Sequence, residues 1–378
     1  MNGLREEPDD RLFFYWAGKT AGTDEIVVEE TVLHTGGNMM ESWIDAQWTK
    51  ERLKEAAGMF ECDASDARKL GDFENYVYEV KKEGAPFILR ITHSSHRTQI
   101  ELEAEMKWIN FLHRHGLNVS LSHQSSTGRL VEELPGEDGC FFVSLFDKAP
   151  GVAVKVNSDH FGEELFEKWG SLTGKMHATT KHYRDPSSKA RMAWDEDDIL
   201  NFDRYLPRED EEIIELGKRT IEEIRTFPQS EDTYGLIHSD IHHGNFFYDQ
   251  RDGDLHVFDF DDSMWFYFAS DIAIPLYYSS WSKHGGDPLH VRSAFGDGFL
   301  RSFLRGYQSE CPVSKEWFLR IPQFLLLRDL TLYSVFHQKW DLANILQGEK
   351  ELLDGLKKRL EQKEPMVDLD WEAIYDNR

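Results

Sequence analysis

The stretch that most constrains this chain runs from residue 236 to residue 262, "LIHSDIHHGNFFYDQRDGDLHVFDFDD". Two runs rich in aromatic and β-branched residues, 246–248 and 255–260, flank the turn sequence "RDGD", and together they predict a β-hairpin. Hairpin pairing brings the residue entering the first strand beside the residue leaving the second. Those residues are Asn245 and Asp259, so they should meet at the hairpin base, with Asp240 nearby in the loop that feeds the first strand. An amide oxygen beside a carboxylate suits Mg2+, a hard cation that takes few protein ligands and fills its shell with phosphate and water. A separate carboxylate one loop turn away can orient and deprotonate an attacking hydroxyl. The same loop holds His238, His242 and His243, and a His-ligated zinc is the competing reading.

Around this hairpin the chain divides by character. A helix is expected over 51–60, strands over 76–81 and 86–92 with a turn at Glu83–Gly84, and a helix over 97–115 closed by Gly116. Two more strands are expected at 128–134 and 140–146, turning at "PGEDG". After "DKAPG" the pattern becomes helical, over 160–180, 208–226, 288–308, 315–340 and 343–363. A sheet-rich first part thus passes through a connector near 147–151 into a helical second part holding one hairpin. Residues 1–38 match poorly in character with the rest of the chain. They are expected to be an N-terminal extension or a translated leader, in which case translation starts at Met39 or Met40.

Composition removes several function classes. Hydrophobic residues make up 40% and aromatics 13% of 378 residues, which excludes a disordered chain and permits a large core. The net charge of -26 disfavours nucleic acid and anionic lipid and favours a cationic ligand. No apolar run reaches bilayer length, and the first residues lack the regions of a signal peptide. Cys62, Cys140 and Cys311 form no CxxC pair, which points to a reducing cytoplasm and away from a thiolate zinc site.

The order His238, Asp240, Asn245, hairpin, "DFDD" resembles the aminoglycoside phosphotransferase and choline kinase superfamily, by motif over residues 43–278 and by helical character beyond. The resemblance implies an α+β, protein-kinase-like two-lobed fold. Its antiparallel-sheet, nucleotide-binding lobe would occupy residues 39–147, and its larger, mainly helical lobe 148–378. By the same resemblance Asp240 is the catalytic base, Asn245 and Asp259 hold Mg2+, and His238 and Asp271 brace the catalytic loop. Ser239 stands where the family has glycine. Gly71, Phe73 and Asn75 match a loop covering the phosphates, here read as lying between a helix and a strand. Arg90 matches the phosphate-binding basic residue, with Glu105 as its acidic partner and Glu103 as the runner-up. Leu145, Phe146 and Asp147 match the hinge that reads adenine, and Phe247 the floor beneath the base.

The implied activity is transfer of the γ-phosphate of ATP, with GTP as the alternative donor, to a hydroxyl of a small molecule. A Ser/Thr protein kinase of the same fold and an inactive nucleotide-binding protein are the other readings. Residues 260–270 are too short for the activation segment of a protein kinase and lack its APE-like end. The acceptor is therefore expected in a pocket with Asp261, Asp262 and Trp265 near its mouth, a set suited to a cationic amino-alcohol. The sequence gives no sign of oligomeric state.

Overall fold

The structure is a computed structural model that describes residues 40–72 and 74–377. Phe73 and the 1–38 extension lie outside the described residues. The chain forms two compact units, one from residues 40–99 and 121–148, the other from residues 100–120 and 149–377.

The first unit opens with α1 (Ser42–Asp45) and α2 (Lys50–Met59), the latter capped by the Thr49 hydroxyl accepting from the Arg52 N–H. Six strands come next: β1 (Asp63–Gly71), β2 (Asn75–Lys82), β3 (Ala85–His93), β4 (Ser122–His123), β5 (Glu132–Pro135) and β6 (Cys140–Asp147). They form an antiparallel sheet in the order β1-β2-β3-β6-β4, with β5 also on β6. The tight turn between β2 and β3 places Glu83 and Gly84 at φ 51° and 81°, the paired left-handed residues whose twist matches a hairpin. One face of the sheet contributes Tyr76, Leu89, Ile91, Phe141, Val143 and Leu145 to a core closed by α2.

β1 corrects the sequence reading. Its sequence, DASDARKLG, has no apolar alternation because it is an edge strand whose residues are half-buried or exposed, and its register slips twice. The Gly71 segment therefore joins two antiparallel strands, not a helix to a strand.

The second unit begins with α3 (Gln99–Arg114), then β7 (Val152–Ala153), α4 (Glu163–Thr180), α5 (Phe202–Tyr205) and α6 (Glu211–Arg225). Four short strands come after them: β8 (Tyr234–Ile237), β9 (Phe246–Asp249), β10 (Asp254–Val257) and β11 (Met264–Tyr267). They make a β10-β9-β7 ladder and a separate β11-β8 pair. The chain finishes in α7 (Ser270–His284), α8 (Leu289–Glu310), α9 (Lys315–Phe318), α10 (Ile321–Lys339), α11 (Gln347–Gln362) and α12 (Trp371–Asp376). The single helix expected over 315–340 is thus two, broken at Leu319 and Arg320.

α4 and α8 touch backbone to backbone. A Cβ built on Gly170 would lie 1.8 Å from the Phe303 carbonyl oxygen, and one on Gly306 1.8 Å from that of Glu167. Only glycine permits this approach, and it seats Trp169 against Phe246 at 4.8 Å, under the start of the hairpin. Among the described residues no helix is long and apolar enough to cross a membrane.

Candidate active site

The hairpin forms as its sequence predicts, with Phe246 opposite Val257 and Asp249 opposite Asp254. Immediately outside the Phe246–Val257 pair, the Phe258 N–H donates to the Asn245 carbonyl at 3.0 Å, which brings the entry and exit of the hairpin together. Asn245 is buried and its amide nitrogen donates to the Asp240 carbonyl at 2.8 Å and to Asp240 Oδ2 at 3.2 Å. Both amide hydrogens are therefore turned toward Asp240, and the amide oxygen faces the other way. Asp259, the next residue but one along the exit strand's path from Val257, adopts φ 63°, a left-handed conformation that aspartate tolerates better than most residues. Carboxylate and amide oxygens are both hard donors, so the residue types at Asn245 and Asp259 suit a divalent cation such as Mg2+ or Ca2+.

Asp271, fully buried at the start of α7, anchors the loop. Its carboxylate accepts the N–H groups of His238 and Ser239, both at 2.8 Å, and lies 3.2 Å from His177 Nε2. Ser239 occupies φ 69° in the middle of this grip, the left-handed region that favours glycine. Burial, opposed by Asp271, holds the His177 imidazole below its ordinary pKa. The neutral ring donates from Nε2 to Asp271, and its Nδ1 meets the Tyr307 hydroxyl at 2.8 Å.

The loop histidines serve the loop itself. His238 Nε2 reaches the Phe258 carbonyl at 3.1 Å, so that nitrogen carries the proton, and Nδ1 accepts the Asp240 N–H at 3.4 Å. His242 Nδ1 accepts the Gly244 N–H at 2.9 Å, which turns Nε2–H toward Asp240 Oδ2 at 3.3 Å. Burial, with His242 second, pushes the His243 imidazole down to about 3. Among the described residues these three rings form no metal cluster. The grouping that does meet ligand spacing, Asp249, Asp252 and His256, sits at the hairpin turn, where Arg251 pairs with Asp249 at 2.6 Å and His256 with Asp252 at 2.9 Å.

Asp240 has a further partner that the sequence reading missed. Arg328, from the middle of α10, donates from Nη2 to Asp240 Oδ1 at 2.9 Å and to the Tyr278 hydroxyl, and its guanidinium carbon lies 4.8 Å from the Tyr278 ring centroid. Burial acts to raise the pKa of Asp240, but His242, Arg328 and His238 more than offset it, holding the carboxyl well below the usual carboxylate range. The sequence did carry a signal: Arg328 and Asp329 are the charged pair inside the otherwise uncharged run "IPQFLLLRDLTLYS".

Arg90 is buried in mid-β3, its guanidinium 5.0 Å from the Phe146 ring centroid, so it is no solvent-facing strand arginine. Glu105 is fully buried on α3. Asn75 opens β2 and accepts the Thr92 hydroxyl at 2.5 Å. A Cβ on Gly71 would meet nothing within 4 Å. Leu145, Phe146 and Asp147 lie at the end of β6 between β3 and β4, and the Asp147 N–H is already donated to the Leu121 carbonyl at 2.9 Å. Phe247 is half-buried on β9 against Phe258, with ring centroids 4.8 Å apart. Asp261 is buried and its carbonyl takes Arg191, whereas Asp262 is exposed. Trp265 sits on β11 with its indole N–H bound to the Ser188 carbonyl at 2.8 Å.

Residues 66–313 match the phosphotransferase enzyme family. The chain is 37% identical over 325 residues to amicoumacin kinase of Bacillus subtilis (strain 168), covering 85% of this chain and 95% of that protein. Among solved structures, an amicoumacin kinase in complex with AMP-PNP, Ca2+ and Ami superposes with a TM-score of 0.82 at 34% identity, over 89% of this chain and all of that one. A microcompartment-associated aminopropanol kinase shares the fold with a TM-score of 0.67 at 18% identity, over 83% of this chain and 98% of that one. With its sheet unit, its helical unit and the Asp240, Asn245 and Asp259 loop-and-hairpin between β8 and β11, the chain belongs to the phosphotransferase enzyme family and is an ATP-dependent kinase of a small molecule.

Proposed function

We propose that the protein phosphorylates a hydroxyl of amicoumacin or of a compound of the same kind, with Asp240 as the group that receives the hydroxyl proton. The likeness to amicoumacin kinase over most of both chains carries this reading. Asp240 orients the acceptor hydroxyl through a carboxylate oxygen and takes its proton as the hydroxyl oxygen bonds to the γ-phosphorus of ATP, whose bond to the bridging oxygen breaks to release ADP. Its depressed pKa makes it a weak base, which suits a loose transition state in which the proton leaves late.

Asn245 and Asp259 are proposed to hold a divalent cation, Mg2+ in the cell, which when bound neutralises charge on the phosphates. Arg90 is proposed to neutralise phosphate oxygens, and Gly71 and Asn75 to border the phosphate loop. Phe247 is proposed to lie beneath the base. The main chain of Leu145–Asp147 is engaged within the sheet, so base reading is assigned to the chain just after β6. Asp262 is the proposed anchor for an ammonium on the acceptor, since it is exposed and its charge bears on both Arg328 and Tyr278.

The test is steady-state turnover of Mg·ATP by purified protein with amicoumacin, choline, an aminoglycoside, aminopropanol and a peptide panel as acceptors. Phosphoryl transfer to amicoumacin, lost by roughly a hundredfold or more in Asp240→Asn, is the expected result. Turnover on peptides with none on any small alcohol refutes it.

A further inference from the structure

We infer that Arg328 is a positioning residue for the Asp240 carboxylate, an inference that rests on Asp240 receiving the acceptor hydroxyl. The terminal torsion of an aspartate is broad, so a carboxylate held on one side alone can turn. On one side, Oδ2 is held by the Asn245 amide at 3.2 Å and the His242 imidazole at 3.3 Å. Arg328 holds Oδ1 from the other side at 2.9 Å, and the two grips together fix the carboxylate plane. A hydroxyl must come within hydrogen-bond reach of that carboxylate, and a misplacement of about 1 Å costs on the order of a hundredfold in rate.

Arg328 is itself held in place. Its guanidinium lies over the ring of Tyr278 on α7 and bonds the hydroxyl of the same tyrosine, which is buried. The next residue, Asp329, makes a second rung in the same two helices. Its buried carboxylate accepts the Tyr277 hydroxyl at 2.6 Å and pairs with Arg359 from α11. Any roll of α10 that took Arg328 off Asp240 would also pull Asp329 from two partners, the buried Tyr277 and the partly buried Arg359. The arginine therefore approaches the catalytic loop along one fixed direction, set by α7, α10 and α11 together.

A positioning role predicts a specific kinetic pattern. Arg328→Met should lower kcat about ten- to a hundredfold while KM for ATP and for the acceptor stay within about twofold. Arg328→Lys, which keeps the charge and loses the planar fork, should recover part of kcat. An unchanged kcat in Arg328→Met overturns the inference, as does a raised acceptor KM at wild-type kcat, which would make Arg328 an acceptor ligand. Should Arg328→Met fail to fold, Tyr278→Phe decides, because it removes the hydroxyl anchor and leaves the ring. It should lower kcat severalfold with the same constant KM values, and a wild-type kcat overturns the inference. Asp240→Asn is measured alongside: if it keeps full turnover, the reading of Asp240 itself falls. If it loses turnover and Arg328→Met does not, the positioning role falls alone.

Discussion

Replacing Asp271 by asparagine isolates what holds the loop of His238, Ser239 and Asp240 in register. The two carboxylate oxygens accept two backbone N–H groups at 2.8 Å, one each, and Oδ2 also faces His177 at 3.2 Å. Asparagine is isosteric but offers one acceptor oxygen, so in either orientation its NH2 confronts one of those N–H groups. One buried donor is orphaned, at about 1–3 kcal/mol, and the bond that survives loses its charge assistance. The site is fully buried, so solvent does not soften the loss. Together these give a destabilisation of roughly 2–4 kcal/mol. Asp271→Ala, which orphans both donors and strands His177, should cost more, about 3–5 kcal/mol. Urea unfolding monitored by tryptophan fluorescence reads the effect, and kcat should fall with it because Ser239 and Asp240 ride on the released backbone. An Asp271→Asn midpoint equivalent to less than about 0.5 kcal/mol below wild type would refute the account, since an ordinary surface change gives that much.

The same geometry sets three further outcomes. Asp259→Ala should raise the divalent-cation concentration for half-maximal rate by about tenfold or more, and unchanged cation dependence would place the metal elsewhere. Ser239→Gly should raise stability by roughly 1 kcal/mol with activity retained, because it relieves a left-handed serine; a drop in the unfolding midpoint would speak against strain there. His177 has its pKa depressed in the fold, so below the unfolded value of about 6.5 the unfolded chain takes up a proton the native state refuses. Stability should therefore be lost as pH falls from about 6.5 toward the folded pKa, and His177→Gln should flatten that slope between about pH 7.5 and 5.5 relative to wild type. Parallel slopes would show that His177 does not carry it.

Legibility in the sequence tracks the range of the interactions involved. The hairpin, and the meeting of Asn245 with its exit, are local, so period and turn chemistry were enough to place them. β1 was unreadable because an edge strand with both faces partly wet needs no alternation, and β8 and β11 were unreadable because they pair across a long intervening stretch, with no turn sequence between them to mark a hairpin. Arg328 lies far along the chain from Asp240, and nothing in the spacing joins them. Only the oddity of a charged pair within an apolar helix marked the position, and that oddity alone does not name a partner. The pairing of β4 with β6 at Leu145 and Phe146 is a contact of two residues, too short to show in composition.

The pairing of β11 with β8 has a consequence for control. β8 runs directly into His238, and β11 is the return path from Asp259 to α7, so the segment after Asp259 is zipped, Met264 to Ile237 through Tyr267 to Tyr234, onto the strand that leads into the Asp240 loop. A kinase governed by covalent switching needs slack at this point, a length of chain that is loose in one state and gathered in by a new charge in the other. Here the slack is taken up in a sheet. Between the hairpin and β11 only residues 258–263 lie outside a strand.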